Sequence, residues 1–303
     1  MFFDTHAHVN FNAFKDDGEE VLRRSLENGM NVVNVGSQYS TSKRAVEYAH
    51  KFENLGTKSP LGDLVPKFSA GGVYAAIGIH PVHLKKGSFT HQDPWEIDEE
   101  DESASSAGRE IPTVGETFDY AKYLDLARDE KTIAIGEVGL DYHHFEEGDD
   151  IDFLKNLQKE TLLKFIQLAN EVQKPMMFHC WDAYADLLEI LTNFPVTKKG
   201  IVHSFIGSYK TANKFIALGY NLGLNGIITY GDGYDRLIKE VDLKNIVLET
   251  DCPYLTPRPL EKGTRNEPLF VNHVAQKIAD VKGISIEEVA KITSQNAKEI
   301  LGL

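Results

Sequence analysis

Eight short, β-rich apolar runs recur along this chain, each followed by a longer segment of different rhythm. The runs are MFFDT (1–5), NVVNVG (31–36), VYAAIGIH (73–80), TIAIGEVGL (132–140), PMMFHC (175–180), GIVHS (200–204), YNLGLNG (220–226) and NIVLETD (245–251). Several lack polar alternation, which marks strands buried on both faces. Helical spacing fills the intervals. It is clearest over 151–172, where Leu154, Leu157, Thr161, Leu162, Phe165, Leu168, Ala169 and Val172 share one face. Similar patterns cover about 18–28, 41–53, 118–129, 182–193, 208–218 and 232–240, and helices at about 267–281 and 286–301 close the chain. Eight strands alternating with helices predict a (β/α)8 TIM barrel, with a doubly wound sheet as the alternative.

A chain of 303 residues is the right size for one such barrel, so a single domain over 1–303 is expected. Two stretches interrupt the alternation. Residues 54–71 are rich in Gly, Pro and Ser and read as a loop. Within a second insertion, at about 86–116, residues 93–110 carry eight acids and one base and read as a solvated segment. No internal repeat is found.

The strand ends collect a particular chemistry. The first run leads into DTHAH (4–8), where His6 and His8 lie two apart and so aim at one point. The fourth ends near Glu137, the fifth at His179, the sixth at His203 and the eighth at Asp251. In a barrel these C-terminal strand ends meet at one mouth. Imidazole with carboxylate suits Zn²⁺, Mn²⁺ and similar ions. Six ligands exceed what one open zinc site takes. They suit two divalent ions about 3.5–4 Å apart, with Glu137 as the bridge. Cys180 and Cys252 each follow a ligand candidate, and strand alternation turns both thiols away from the metals.

Composition limits the partners. With 46 acids against 32 bases the net charge is -14, so bulk attraction to nucleic acid is excluded and any contact needs local cations. Two cysteines make no disulfide framework and point to a reducing compartment. The start MFFDTHAHVN has no signal-peptide pattern, and no apolar stretch reaches the roughly 20 residues that span a bilayer. The cytoplasm is expected, and also the nucleus if the source is a eukaryote, with no obligate protein partner.

The stretches DTHAH (4–8), GIHP (78–81), GEVGLDY (136–142), HSFIGS (203–208), ETDCPYL (249–255) and RNEP (265–268) together resemble the TatD family of metal-dependent deoxyribonucleases, in order along nearly the whole chain. The resemblance implies a barrel of the amidohydrolase kind and metal-dependent cleavage of DNA phosphodiesters, with exonuclease character. It implies one ion (Zn, Mg or Mn) on His6, His8, Glu137 and Asp251, and a second on Glu137, His179 and His203. Asp251 would also accept the proton of the attacking water. One position departs from the family pattern: where Arg usually follows the fifth strand, this chain has Trp181. Arg is a bidentate phosphate clamp. Arg265, His80 and His83 are the possible replacements, Asp141 is a further candidate substrate contact, and Trp181 itself could stack a base or pack the rim. The acidic insertion argues for strand ends or single strands over long duplexes. Hydrolysis of amide, ester or lactone bonds on the same barrel is the alternative, and a binding protein without activity is disfavoured by the complete ligand set.

Overall fold

The computed structural model describes residues 1–52, 71–91 and 109–303. Eight parallel strands form one sheet: β1 (Phe3–Ala7), β2 (Asn31–Val35), β3 (Val73–Ile77), β6 (Thr132–Asp141), β7 (Met176–Trp181), β8 (Gly200–Val202), β9 (Tyr220–Leu224) and β10 (Ile246–Leu248), paired in that order. Nearly every strand residue is buried, as continuous apolar runs require. No ladder joins β10 to β1. Closure comes just beyond the strands, where Asp251 N–H donates to the His6 carbonyl (2.8 Å) and His8 N–H to the Cys252 carbonyl (2.9 Å). The expected barrel is therefore present, and the doubly wound alternative is not.

The helices follow the expected rhythm. They are α1 (Gly18–Glu27), α2 (Tyr39–Lys51), α3 (Tyr120–Arg128), α4 (Ile151–Val172), α5 (Tyr184–Asn193), α6 (Tyr209–Ala217), α7 (Asp235–Glu240), α8 (Val271–Lys282) and α9 (Ile286–Leu301). α4 has the bounds that its apolar spacing predicts. It is stopped at Gln173, which adopts φ 56° and sends its N–H back to the Ala169 carbonyl. No helix among the described residues is long and apolar enough to cross a membrane.

Sequence reading misses one pair of elements. β4 (Lys86–His91) and β5 (Arg109–Val114) form a separate antiparallel hairpin at the foot of the second insertion. Its segments are polar and lack a period-two apolar face, so periodicity could not find them. The rest of that acidic stretch and nearly all of the 54–71 loop lie outside the described residues.

Candidate metal centre

All six predicted ligands meet at the C-terminal mouth of the barrel. The organising group is the Glu137 carboxylate, which splits its oxygens between two sets of imidazoles. Oε2 lies 3.5 Å from His6 Nε2 and 3.9 Å from His8 Nε2. Oε1 lies 2.9 Å from both His179 Nδ1 and His203 Nε2. Asp251 Oδ1 stands 3.2 Å from His8 Nε2 and 3.9 Å from His6 Nε2. The His6 and His203 rings stack at 3.8 Å across Glu137, so the two sets share one wall.

Each ligand is aimed by a particular local device. His6 and His8 share a face of β1 and its extension. Asp251 sits three residues beyond β10 at φ 59°, a left-handed conformation that Asp tolerates better than most residues. Its backbone bond to His6 holds the turn. Asp4 accepts from the backbone N–H of His6 (3.2 Å) and of Thr250 (3.0 Å) and from the Thr250 hydroxyl (2.6 Å), which ties the first ligand segment to the last.

The polar contacts leave imidazole lone pairs facing carboxylates. A carbonyl only accepts, so the 2.9 Å contact to the Val35 oxygen puts the His8 proton on Nδ1. Its Nε2 lone pair then faces the Asp251 carboxylate. His179 faces a carboxylate at each nitrogen, Asp141 Oδ2 at Nε2 (3.0 Å) and Glu137 Oε1 at Nδ1 (2.9 Å), so a neutral ring turns a lone pair to one of them. Lone pair against carboxylate in a buried site is unfavourable unless a proton or a metal lies between. His6 is wholly buried, and neither of its ring nitrogens has a hydrogen-bond partner. The donors present thus fit divalent ions.

Without an ion, protons take that place. Burial opposes charge on His179, but hydrogen bonds to Asp141 and Glu137 outweigh it and lift its pKa to about 9. Burial likewise opposes charge on His203, and Glu137 with Glu249 raises it well above its ordinary value. Burial would raise Glu137, yet the charge of His203 and hydrogen bonds with His179 and His203 hold it well below the usual carboxylate range. Asp251 is depressed in the same way, against burial, by His8 and the charge of His203. His6 is pushed down, first by burial and then by His203, which favours the neutral ring a metal needs. Loading the site should therefore release protons.

Carboxylates behind the histidines complete the centre. Glu249 is fully buried, with Oε1 3.3 Å from His203 Nδ1 and accepting from Ser204 N–H. Gly223 on β9 makes room for it, since a Cβ there would stand 2.2 Å from Glu249 Oε2. Asp141 lies behind His179. Expected to touch substrate, its side chain is wholly buried and accepts from His179, from His144 Nδ1 (2.8 Å) and from the backbone N–H groups of His143 and His144 (3.0 Å each). Gln158 on α4 clamps its backbone at both N–H and carbonyl. With His80 and His179, Asp141 also forms a group close enough to hold a metal ion, and its carboxylate does not reach solvent. Asp4 and Glu249 lie in DTHAH and ETD, beside predicted ligands, and His144 follows Asp141 by three; adjacency was the available signal. Cys180 lines the cavity wall and Cys252 is buried, and neither thiol belongs to a ligand group.

The centre floors a cavity of about 570 Å³. His80 and His83 line it, as does Trp181, whose indole stacks on His143 at 4.3 Å and meets His144 edge-on at 5.2 Å. His80 Nδ1 accepts from Val82 N–H, so its Nε2 carries the proton and points toward Glu137 at 3.5 Å. Burial, and next the charge of His179, pushes His80 well below its ordinary pKa, so the ring is neutral. Arg265, another expected substrate contact, stands elsewhere. It is absent from the cavity wall and forks onto Asp17 at 2.8 and 2.6 Å, also contacts Glu267 at 3.0 Å, and lies over the Phe14 ring at 4.2 Å. It straps the segment after β10 to α1. Among the described residues, the Lys or Arg that does line the cavity is Arg44, which no sequence signal singled out, since only the packing of α2 brings it there.

The family model "TatD related DNase" matches residues 3–58 and 63–302. YabD of Bacillus subtilis, described as an uncharacterized metal-dependent hydrolase, is 34% identical over 99% of this chain and 98% of its own. The 3'-5' ssDNA/RNA exonuclease TatD of Erwinia amylovora is 26% identical over 99% and 100% respectively. Among solved structures, the TatD homologue YJJV of Escherichia coli superposes with a TM-score of 0.73 at 23% identity, covering 100% of this chain and 98% of that one.

Proposed function

The chain belongs to the TatD family of metal-dependent hydrolases, and on that footing we propose that it cleaves phosphodiester bonds in DNA as an exonuclease that works with two divalent ions. One observation carries the reading: a single buried carboxylate, Glu137, turns one oxygen to His6 and His8 and the other to His179 and His203. That is the arrangement of a bridge, with Asp251 completing the first set.

When bound, a pair of divalent ions acidifies water and neutralises charge on phosphoryl oxygens. The chain's own residues do the rest. Asp251 opens to the cavity, is ionised at neutral pH, and receives the proton of the attacking water. Asp141 and Glu249 hold His179 and His203 in their ligating orientations. His80 offers a neutral N–H donor to a nonbridging oxygen of the scissile phosphate. Trp181 offers an indole face to a base. Strand ends and short single strands suit a cavity of this size and a chain of charge -14. The named activity of the Erwinia relative on single strands supports the same substrate class. The catalytic unit is one domain, 1–303, with insertions at about 54–71 and 86–116. The cytoplasm suits its two free cysteines.

The test is metal-stripped protein reloaded with Mg²⁺, Mn²⁺ or Zn²⁺ and offered end-labelled single- and double-stranded DNA, beside carboxylic ester, amide and lactone substrates. Metal-dependent shortening from one end, fastest on single strands, is expected. Turnover of the carboxylic substrates alone would overturn the proposal.

A further inference from the structure

We propose that Arg44 is the phosphate anchor of the substrate strand, holding a phosphate next to the scissile one from the wall facing Trp181. The inference deepens the nuclease reading and rests on it.

Among the described residues, Arg44 is the single Lys or Arg on the cavity wall. Its guanidinium is held at one corner: Nη1 donates to the Asn10 carbonyl at 2.9 Å and to Asn12 Oδ1 at 3.1 Å. No protein partner among the described residues takes Nε or Nη2, and no carboxylate pairs with it. An arginine fixed through one nitrogen and open along the other edge is a preorganised fork for an anion. Its anchor is itself tied to the metal centre. Asn10 lies two residues beyond His8, and the Val35 carbonyl accepts from both His8 Nδ1 and Asn10 Nδ2. The position of the fork is therefore set relative to a predicted ligand.

Three of the neighbouring backbone donors are already used. At the start of α2, the backbone N–H groups of Ser37 and Gln38 donate to Thr41 Oγ1 and that of Tyr39 donates to Glu116. His83, also on the wall, is pushed by burial down to about 4 and is neutral at working pH. A permanent positive charge for a second phosphate comes from Arg44.

The barrel order gives the substrate its direction across the mouth. Arg44 belongs to the helix after β2, and Trp181 ends β7, three strands further round. Glu137 on β6 stands between them. A strand whose base meets Trp181 and whose scissile phosphate meets the Glu137 centre would carry its next phosphate toward Arg44. The cation missing at position 181 is thus supplied from across the mouth.

Arg44→Met keeps the stem and removes the fork. With a short end-labelled single strand and a nitrophenyl phosphodiester as the two probes, the ratio of their kcat/KM values should fall about ten-fold, mostly through KM on the strand. The slope of log affinity against log salt should drop by roughly 0.7, one phosphate on a single strand. Arg44→Lys should restore the salt slope and only part of the affinity. If Arg44 only ties α2 to the loop after β1, Arg44→Met will lower the thermal midpoint and reduce both substrates equally, which overturns the inference. An unchanged ratio and salt slope in a wild type that does cleave DNA overturns it too, and leaves the nuclease reading standing. Binding without cleavage, weakened by Arg44→Met, sinks the nuclease reading and keeps the anchor. A wild type that neither binds nor cleaves the strand sinks both.

Discussion

The floor of the cavity and its rim obey different rules. Floor residues are ends of barrel strands, so their directions follow from strand periodicity and the common C-terminal face. Rim residues sit on loops and first helical turns, where direction depends on which partner wins. His6, His8, Glu137, His179, His203 and Asp251 all arrive where the strand pattern sends them. Arg265, an equally good candidate by residue type, is drawn away by Asp17 and Glu267, while Arg44 reaches the cavity unannounced. Ligand geometry is therefore legible from a strand pattern in a way that substrate contacts are not.

The largest effect should come from the floor. Asp251→Asn is expected to lower kcat by about 10²–10⁴-fold, the usual worth of a positioned proton acceptor. Glu137→Ala should reduce bound metal below the two ions per chain of the loaded wild type, read by elemental analysis. A saturating stoichiometry of one that Glu137→Ala leaves untouched would break the bridge, and the contrast between floor and rim with it.

The layer behind the ligands sharpens the comparison next. Asp141→Asn and Glu249→Gln should each cost about 10–100-fold in metal affinity or kcat, with KM for DNA little changed. A rise in KM alone for Asp141→Asn would return that residue to the substrate wall. Such a result conflicts with its buried carboxylate and the bonds it accepts from His179 and His144.

Trp181 tests the rim itself. Stacking on a base is worth roughly 1–3 kcal/mol by alanine substitution. One indole face is already covered by His143, so the lower end is expected. Trp181→Ala should weaken single-strand binding about ten-fold, a factor that corresponds to 1.4 kcal/mol. Trp181→Phe should recover much of it, and metal content should stay intact in both. Equal losses on DNA and on a nitrophenyl phosphodiester, with a lower thermal midpoint, would make Trp181 a packing residue.

What could be read from the chain divides along the same line. Strand and helix order, the bounds of α4 and the six converging ligands follow from apolar spacing, because burial on both faces leaves little choice. The β4–β5 hairpin left no trace, since its two segments lack an alternating apolar pattern and pair with each other. The motif around Asp141 says that it matters and not in which direction it points. Arg44 stayed hidden because the spacing of α2 encodes a helix and its apolar face, and says nothing of which cavity a polar side chain overhangs.

The smallest effect concerns Arg265, and its sign with pH separates strap from clamp. The side chains of Arg265 and Asp17 are 33% and 44% exposed, so solvent screening holds the pair to about 1 kcal/mol or less at neutral pH. Arg265→Met keeps an apolar contact over Phe14 and should lower the thermal midpoint by about 2–4 °C. The Arg265 hydrogen bond, only weakly opposed by burial, holds the Asp17 carboxyl below its ordinary value. A depressed folded-state pKa means that the stabilisation is fully present above the unfolded value of about 3.9 and is lost as pH falls through the folded one. The gap between wild type and Arg265→Met should therefore be constant from neutral pH down to about 5 and narrow below about 4. The KM for a single strand should not follow it. A variant with an unchanged midpoint at every pH and a KM raised ten-fold would mean that Arg265 leaves Asp17 to grip the substrate, and that loop arginines can be read from sequence after all.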